Sequence, residues 1–339
     1  MKKLQNSLYI NTQKTYLHKE RETLVIELDR KKLLQVPVHS IQQIFCFGNV
    51  MVSPFLLGFC GENGVGLAFF SEYGKYLGRL QGRQNGNILL RKAQFKRAEI
   101  EPFELSRVFV AAKIANSRSV LQRHCRNYTA TDEMTVAIQR LNQRLEQVRH
   151  SKNVDTIRGL EGGAAAVYFS VFDKLLLPSI KNDFAFKGRN KRPPKDPVNA
   201  LLSFCYSLLG NEISSAMQGV GLDPQAGFLH KDRPGRDSLA QDMLEEFRAW
   251  WADRFVLSLI NRKQLTLKDF EFQASGAVIL KEGPRKQLLA AWQEKKQDEI
   301  LHPYLKEKVA IGLLPHIQAL LLARYIRGDL ECYPPFVPR

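Results

Sequence analysis

Short apolar or β-branched runs recur along the first eighty residues, at 7–10, 23–28, 33–38, 41–47, 65–70 and 76–80, with polar or glycine-bearing turns between them. Runs of four to seven such residues predict strands. Ser53-Pro54 ahead of the apolar stretch 55–60 predicts a short helix with a serine cap and proline in its first turn. Residues 61–66 then turn the chain into the next strand. The pattern describes a small sheet domain with one helix, closing near Gly82.

Beyond Asn87 the period changes from two to helical. Residues 88–98 carry Arg91, Lys92, Lys96 and Arg97 and read as a crossing helix over 87–101. Pro102 opens a long helix to Tyr128. A second starts near Asp132 and repeats Met134, Ile138, Leu141, Leu145 and Val148 at three- and four-residue spacing, a core stripe too short for a coiled coil. Residues 151–155 cap the next helix. The stretch 181–197 holds Lys187, Arg189, Lys191, Arg192 and Lys195 around Pro193-Pro194 and predicts a mobile basic loop. Helices follow over 197–209, closed by Gly210, through 247–255 and over 303–326. A proline-containing tail at 327–339 cannot be helical. The fold class is therefore α+β: a β-rich domain at 1–86, the crossing helix, and a larger all-α domain at 102–326.

Charge narrows the class of partner. The 339 residues carry 50 Lys and Arg against 34 Asp and Glu, a formal net charge of +16. Such an excess repels itself unless a polyanion screens it, which points to nucleic acid. The five cysteines Cys46, Cys60, Cys125, Cys205 and Cys332 form no C-x-x-C, so zinc-finger and disulfide-framework readings fail and a reducing compartment fits. The longest apolar stretch, 309–326, is broken by Pro315, His316, Gln318 and Arg324 and reads as a core helix, not a membrane span. With no signal-peptide core after Met1-Lys2-Lys3, the expectation is a cytoplasmic protein with no membrane partner.

Candidate chemistry sits in two segments. Glu161 lies in Arg158-Gly159-Leu160-Glu161-Gly162-Gly163-Ala164, where small residues let another helix come close. His230 follows Gly227-Phe228-Leu229 in a loop and precedes the basic turn with Arg233 and Arg236. Asp237-Ser238 caps the next helix, on which Asp242 and Glu245 share a face three residues apart, with Arg248 beyond. Each has an ordinary alternative: a glutamate complementing a helix start, a hydrogen-bonded loop histidine, a solvated acidic face. Acidic groups in a basic protein's phosphate site make better sense with a divalent cation between them. Two carboxylates and an imidazole leave positions open for water and a phosphate oxygen.

The segments R-G-L-E-G-G-A-A-A-V-Y-F and G-F-L-H-K-D-R-P-G-R-D-S-L-A-Q-D-M-L-E-E-F-R resemble the CRISPR-associated adaptation integrase family, closest to its type I-C branch. The likeness extends over nearly the whole chain and includes Phe47-Gly48-Asn49 and the run from Asp196 to Phe204. It implies an N-terminal β-domain that builds a homodimer and a helical domain that holds Mg²⁺ or Mn²⁺. The ligands it implies are Glu161, His230 and Glu245, also the catalytic set, with Asp242 as an alternative or supporting ligand. One departure is Phe247-Arg248-Ala249, where the family often reads F-R-P. The implied activity is insertion of spacer DNA into a CRISPR repeat by 3′-OH transesterification, or hydrolysis by the same site. The implied partners are double-stranded DNA and a small ferredoxin-like adaptation protein that bridges two dimers into a heterohexamer. From charge, Lys187, Arg189, Lys191, Arg192, Lys195, Arg233, Arg236 and Arg248 are the candidate DNA contacts. A stand-alone repair nuclease and a non-catalytic basic DNA-binding protein are the rival readings.

Overall fold

The computed structural model describes residues 6–72, 76–80, 88–128, 130–181 and 183–338. The expected domain end near Gly82 and the period switch at Asn87 lie outside them. The chain divides into two compact units. One comprises Met1–Asn85, Leu280–Ile300 and Ala310–Leu314; the other comprises Gly86–Ile279, Leu301–Val309 and Pro315–Arg339.

The first unit begins with β1 (Asn6–Ile10), β2 (Thr15–Glu20), β3 (Thr23–Leu28), β4 (Lys31–Pro37), β5 (Ile41–Phe47), β6 (Val50–Val52), α1 (Pro54–Glu62), β7 (Gly66–Phe70) and β8 (Tyr76–Leu80). They form two four-stranded sheets, ordered β1-β5-β7-β8 and β4-β3-β2-β6. In the first, β1, β5 and β7 run parallel and β8 antiparallel. In the second, the β2–β3–β4 meander is extended by parallel β6. Leu17, Leu24, Ile26, Ile44, Cys46, Leu56 and Cys60 are buried together, so alternate strand positions and one face of α1 meet in a single core. Helix α1 starts as its sequence dictates: Ser53 Oγ accepts from Leu56 N at 3.2 Å and Pro54 occupies the first turn.

The second unit holds α2 (Ile88–Ile100), α3 (Pro102–Asn127), α4 (Asp132–His150), α5 (Val154–Ser170), α6 (Pro197–Gly219), α7 (Ser238–Phe247) and α8 (Arg254–Asn261). A π-helical turn, Arg248–Asp253, joins α7 to α8. Strands β9 (Phe270–Phe272) and β10 (Val278–Leu280) form a hairpin; α9 (Glu282–Gln297) belongs to the first unit, and β11 (Glu299–Leu301), β12 (Lys308–Ala310) and α10 (Leu314–Arg327) follow along the chain. The C-terminal part is thus dominated by long helices, with two short ladders in place of uninterrupted helix. Helix α3 is its axis, packing on α4, α5 and α7. Its buried residues include Leu105, Phe109, Val110, Ile114 and Leu121, and also the polar Ser106, Lys113, Asn116 and Ser117.

Two local expectations are corrected. Helix α6 runs through Gly210 to Gly219, because Leu208, Leu209, Ile213 and Met217 keep a buried stripe going. Residues 303–310 form no helix: β12 lies among them, a single 3-10 turn covers Ile311–Leu313, and α10 starts only at Leu314. The proline-bearing tail is non-helical as expected, yet Tyr333 and Phe336 are buried.

Candidate functional site

Helix α7 supplies the centre. Asp242 and Glu245 are 0 % and 1 % exposed, so the pair is no solvated acidic face. Burial of a carboxylate demands compensation, and Asp242 has it in full. Its Oδ2 accepts from Phe228 N at 2.7 Å and Leu229 N at 3.0 Å. Its Oδ1 accepts from His230 N at 3.0 Å and lies 2.6 Å from His230 Nδ1. One side chain therefore fixes three successive residues of the loop and the tautomer of His230. With Nδ1–H donated to the carboxylate, Nε2 is left as the lone-pair nitrogen. Gly227 is required beside it: a Cβ there would stand 2.7 Å from Ser238 Cβ and 3.0 Å from the Ser238 carbonyl carbon. Asp237 stands at the start of α7 but does not cap it; its carboxylate accepts from Ser214 Oγ at 2.7 Å.

Helix α5 brings Glu161 to the same place. Asn153 caps it, accepting from Thr156 N at 3.0 Å. Arg158, one turn before Glu161, donates through Nε to the Leu229 carbonyl at 2.9 Å and so ties α5 to the residue preceding His230. Gly163 lets the Arg144 guanidinium lie 3.0 Å from where a Cβ would be, which explains part of the small-residue run.

Lys113, from the middle of α3, joins the two acidic helices. Its ammonium contacts Glu161 Oε1 and lies 2.8 Å from Glu245 Oε2. Arg248 Nη1 is 3.4 Å from Glu245 Oε1. Burial pulls the Lys113 pKa down, but the charges of Glu245 and Glu161 outweigh it and the ammonium titrates above its ordinary value. Burial pushes Glu245 up, and Arg248, Lys113 and His230 together hold it well below the ordinary carboxylate range. Glu161 and Glu245 thus converge on one cation, which is an ammonium. Among the described residues, no three His, Cys, Asp or Glu side chains are gathered as a ready metal cage. The donor set nevertheless fits one. Two carboxylates from different helices already share one positive charge, and His230 presents a lone pair on Nε2. Asp242, with both oxygens spent on the loop, suits a supporting role.

The basic groups separate into two kinds. Lys187, Lys191, Arg192, Lys195 and Arg233 are exposed. Arg189 is spent on structure: it donates to Asn199 Oδ1 at 2.7 Å and Ser203 Oγ at 3.0 Å, and its guanidinium lies 5.4 Å from the Tyr206 ring centroid. The loop expected to be mobile is held down. Asn199 also accepts from Asn190 N and donates to the Gly188 carbonyl, Asn190 Oδ1 accepts from Lys195 N, and the Pro194 carbonyl accepts from Val278 N. Arg248 also lies against the Tyr206 ring, 5.0 Å from its centroid. Partial desolvation lowers the pKa of the exposed Lys191, and Arg248, Arg189 and Arg192 lower it further; Arg236 is lowered by burial and by Arg233. Cations from 189–192 and 233–248 therefore crowd round the acidic pair, leaving it a phosphate-seeking rim.

Glu246 points away from this site. It accepts from Phe336 N at 2.7 Å, Tyr333 OH at 2.8 Å and Gln318 Nε2 at 3.0 Å. Burial pushes its carboxyl up to about 7 against the lowering by those three donors. Asn116 donates to both the Glu246 and the Phe336 carbonyls, binding the tail to α7 and α3. Sequence reasoning passed over Lys113 and this anchor. A lone lysine within Val108-Phe109-Val110-Ala111-Ala112-Lys113-Ile114-Ala115 was the available signal for the first.

Residues 8–294 match the family model of CRISPR associated protein Cas1. The chain is 49% identical over 344 residues to a CRISPR-associated endonuclease Cas1 of Chlorobaculum tepidum, covering 100% of both. Its fold is shared with a Cas1 protein from Thermotoga maritima (TM-score 0.83, 22% identity, 97% of this chain and 99% of that one). It is also shared with a casposase bound to its integration product (TM-score 0.81, 22% identity, 96% and 91%).

Proposed function

Because the chain belongs to the CRISPR associated protein Cas1 family, we propose that it is a metal-dependent DNA integrase and endonuclease of CRISPR spacer acquisition, with its chemistry at Glu161, His230 and Glu245. The observation that carries the site assignment is the meeting of Glu161 and Glu245 on one positive charge, beside a histidine whose Nε2 is freed by Asp242. Those three side chains would hold Mg²⁺ or Mn²⁺. The bound ion supplies charge neutralisation at a phosphodiester and a more acidic attacking hydroxyl.

The protein's own groups do the rest. Asp242 keeps His230 in one tautomer and one orientation. Arg248 and Lys113 offset the carboxylates, so an anionic phosphodiester can approach. The exposed cations Lys187, Lys191, Arg192, Lys195 and Arg233 take the DNA backbone by counterion release. In the reaction, the 3′ oxygen of the incoming DNA forms a bond to phosphorus as the target's P–O3′ bond breaks. The attacking hydroxyl's proton leaves to solvent and the departing 3′ oxygen takes one up. Water in place of the hydroxyl gives hydrolysis. A homodimer built by the β-rich unit, a small ferredoxin-like adaptation protein bridging two such dimers, and a cytoplasmic location complete the proposal. Among the described residues, no helix is long and apolar enough to cross a membrane.

The test is strand transfer of a 3′-OH duplex into a repeat-bearing plasmid, with Mg²⁺, with Mn²⁺ and with chelator, with and without the bridging protein. Joined product that requires metal and disappears in Glu161→Gln and His230→Ala is expected. Cleavage without joining under every condition makes the protein a stand-alone nuclease. DNA binding with no metal-dependent product leaves only the architectural reading.

A further inference from the structure

Lys113 has no part in the reading drawn from sequence, yet it stands at the point on which both acidic helices converge. Its side chain is 10% exposed, Glu245's is 2%, and its ammonium touches Glu161 from α5 and Glu245 from α7 at once. A lysine in the middle of a core helix needs a strong reason to be buried. Two carboxylates from different helices need an equally strong reason to be neighbours. Each supplies the other's reason. With Arg248 included, the site holds two negative and two positive charges and is balanced as it stands.

We propose that Lys113 is a resident counter-ion for the divalent-cation site: its ammonium occupies the position between Glu161 and Glu245 in the metal-free protein and must be displaced for a metal ion to bind. This rests on the assignment of Glu161 and Glu245 as ligands. The consequence is charge-timed assembly. Before metal, the acidic pair is neutral and the three helices are held together. Once a divalent cation neutralises the carboxylates, Lys113 and Arg248 are left as uncompensated cations, matched to an incoming phosphodiester. A lysine is suited to the task, being a point charge on a long flexible stem that can leave one partner for another, unlike a forked guanidinium.

The test uses the full-length protein with Mn²⁺ alone as probe. Binding is measured by the electron paramagnetic resonance of free Mn²⁺ and by calorimetry for wild type, Lys113→Met, Lys113→Arg and Glu161→Gln. Competition predicts that Lys113→Met binds Mn²⁺ at least about tenfold more tightly than wild type, while Lys113→Arg does not. In chelator, Lys113→Met should unfold at a lower temperature than wild type and recover on adding Mn²⁺, a recovery that a merely structural lysine would not show. The double variant Lys113→Met/Glu161→Gln, which removes one charge of each sign, should unfold in chelator close to wild type. Mn²⁺ binding that is lost in Glu161→Gln but equal or weaker in Lys113→Met overturns the role of Lys113 and leaves the metal assignment standing. A double variant as unstable as the single one overturns it also. Absence of Mn²⁺ binding in wild type and Lys113→Met alike overturns both.

Discussion

Asp242→Asn isolates what the buried carboxylate does for the histidine loop. In the wild type, one oxygen takes two backbone N–H groups and the other takes the His230 N–H and Nδ1–H. The amide keeps only one oxygen. If that oxygen keeps Phe228 N and Leu229 N, the new NH₂ faces the His230 amide, and one buried donor is orphaned at a cost of about 1–3 kcal/mol. The same NH₂ forces Nδ1 of His230 to accept, which moves the ring proton to Nε2 and removes the lone pair offered to a metal. The opposite amide orientation orphans two donors and costs more. Chemical denaturation should therefore show a loss of about 1–3 kcal/mol or somewhat above. Metal-dependent strand transfer should fall roughly 10–100-fold, the usual effect of removing a partner that orients a ligand. Nitrogen-15 NMR of the imidazole reads the tautomer directly. Unchanged stability together with wild-type strand transfer would refute the claim that Asp242 acts by holding this loop, and a tautomer still protonated at Nδ1 would refute the route.

Gly227→Ala drives a methyl against the Ser238 Cβ and carbonyl carbon, so the loop must shift; a loss of about 1–3 kcal/mol in urea unfolding is expected, with activity falling as His230 is displaced. Replacing Lys187, Lys191, Arg192 and Lys195 by Ser should weaken binding to unrelated duplexes and flatten the log K against log salt slope by up to about 3–4, one near-unit step per phosphate lost. Asp253 is buried and its carboxyl is pushed up to about 6 from 3.8, burial outweighing the hydrogen bond from Tyr206 and the charges of Arg189 and Arg248. The folded state therefore binds this proton more readily than the unfolded state, and the stability it contributes is full below about 3.8 and lost as pH rises through about 6. Denaturation at pH 5 and pH 7.5 should accordingly show wild type losing stability relative to Asp253→Asn over that interval, by about 1–1.5 kcal/mol.

Much of this was legible in the amino-acid order, for reasons that differ by element. Strands β3 and β5 are dominated by apolar or β-branched residues, and α1 announces itself by Ser53-Pro54. Strand β2 reads Thr-Tyr-Leu-His-Lys-Glu, and three-residue β6 is too brief to show a period, so both escaped notice. Gly210 looked like a helix end because propensity was the only information; Gln241 and Leu244 packed near it show that tertiary contact overrides that cost. In the site, Glu161, His230, Asp242 and Glu245 stood out because their segments are unusual in themselves. Lys113 and the Glu246 anchor depend on residues 48 to 132 positions away, and no local window holds both partners. Arg189 counted as a DNA contact by charge alone; Asn199 and Ser203, ten and fourteen residues on, take its guanidinium into the fold.

The strap of Tyr333 and Phe336 across Glu246 has a temporal side. Helix α7 leaves the ribosome long before residue 336 does, and until then Glu246 lacks two of its three donors and Asn116 one of its two carbonyls. Glu245 is the next residue on that helix. A nascent chain, or one cut short before residue 333, therefore carries Glu161, His230 and Glu245, the proposed ligands, without the clasp that sets the helix of Glu245 in place. The setting of α7 is in this way completed only once residues 333–336 have been made.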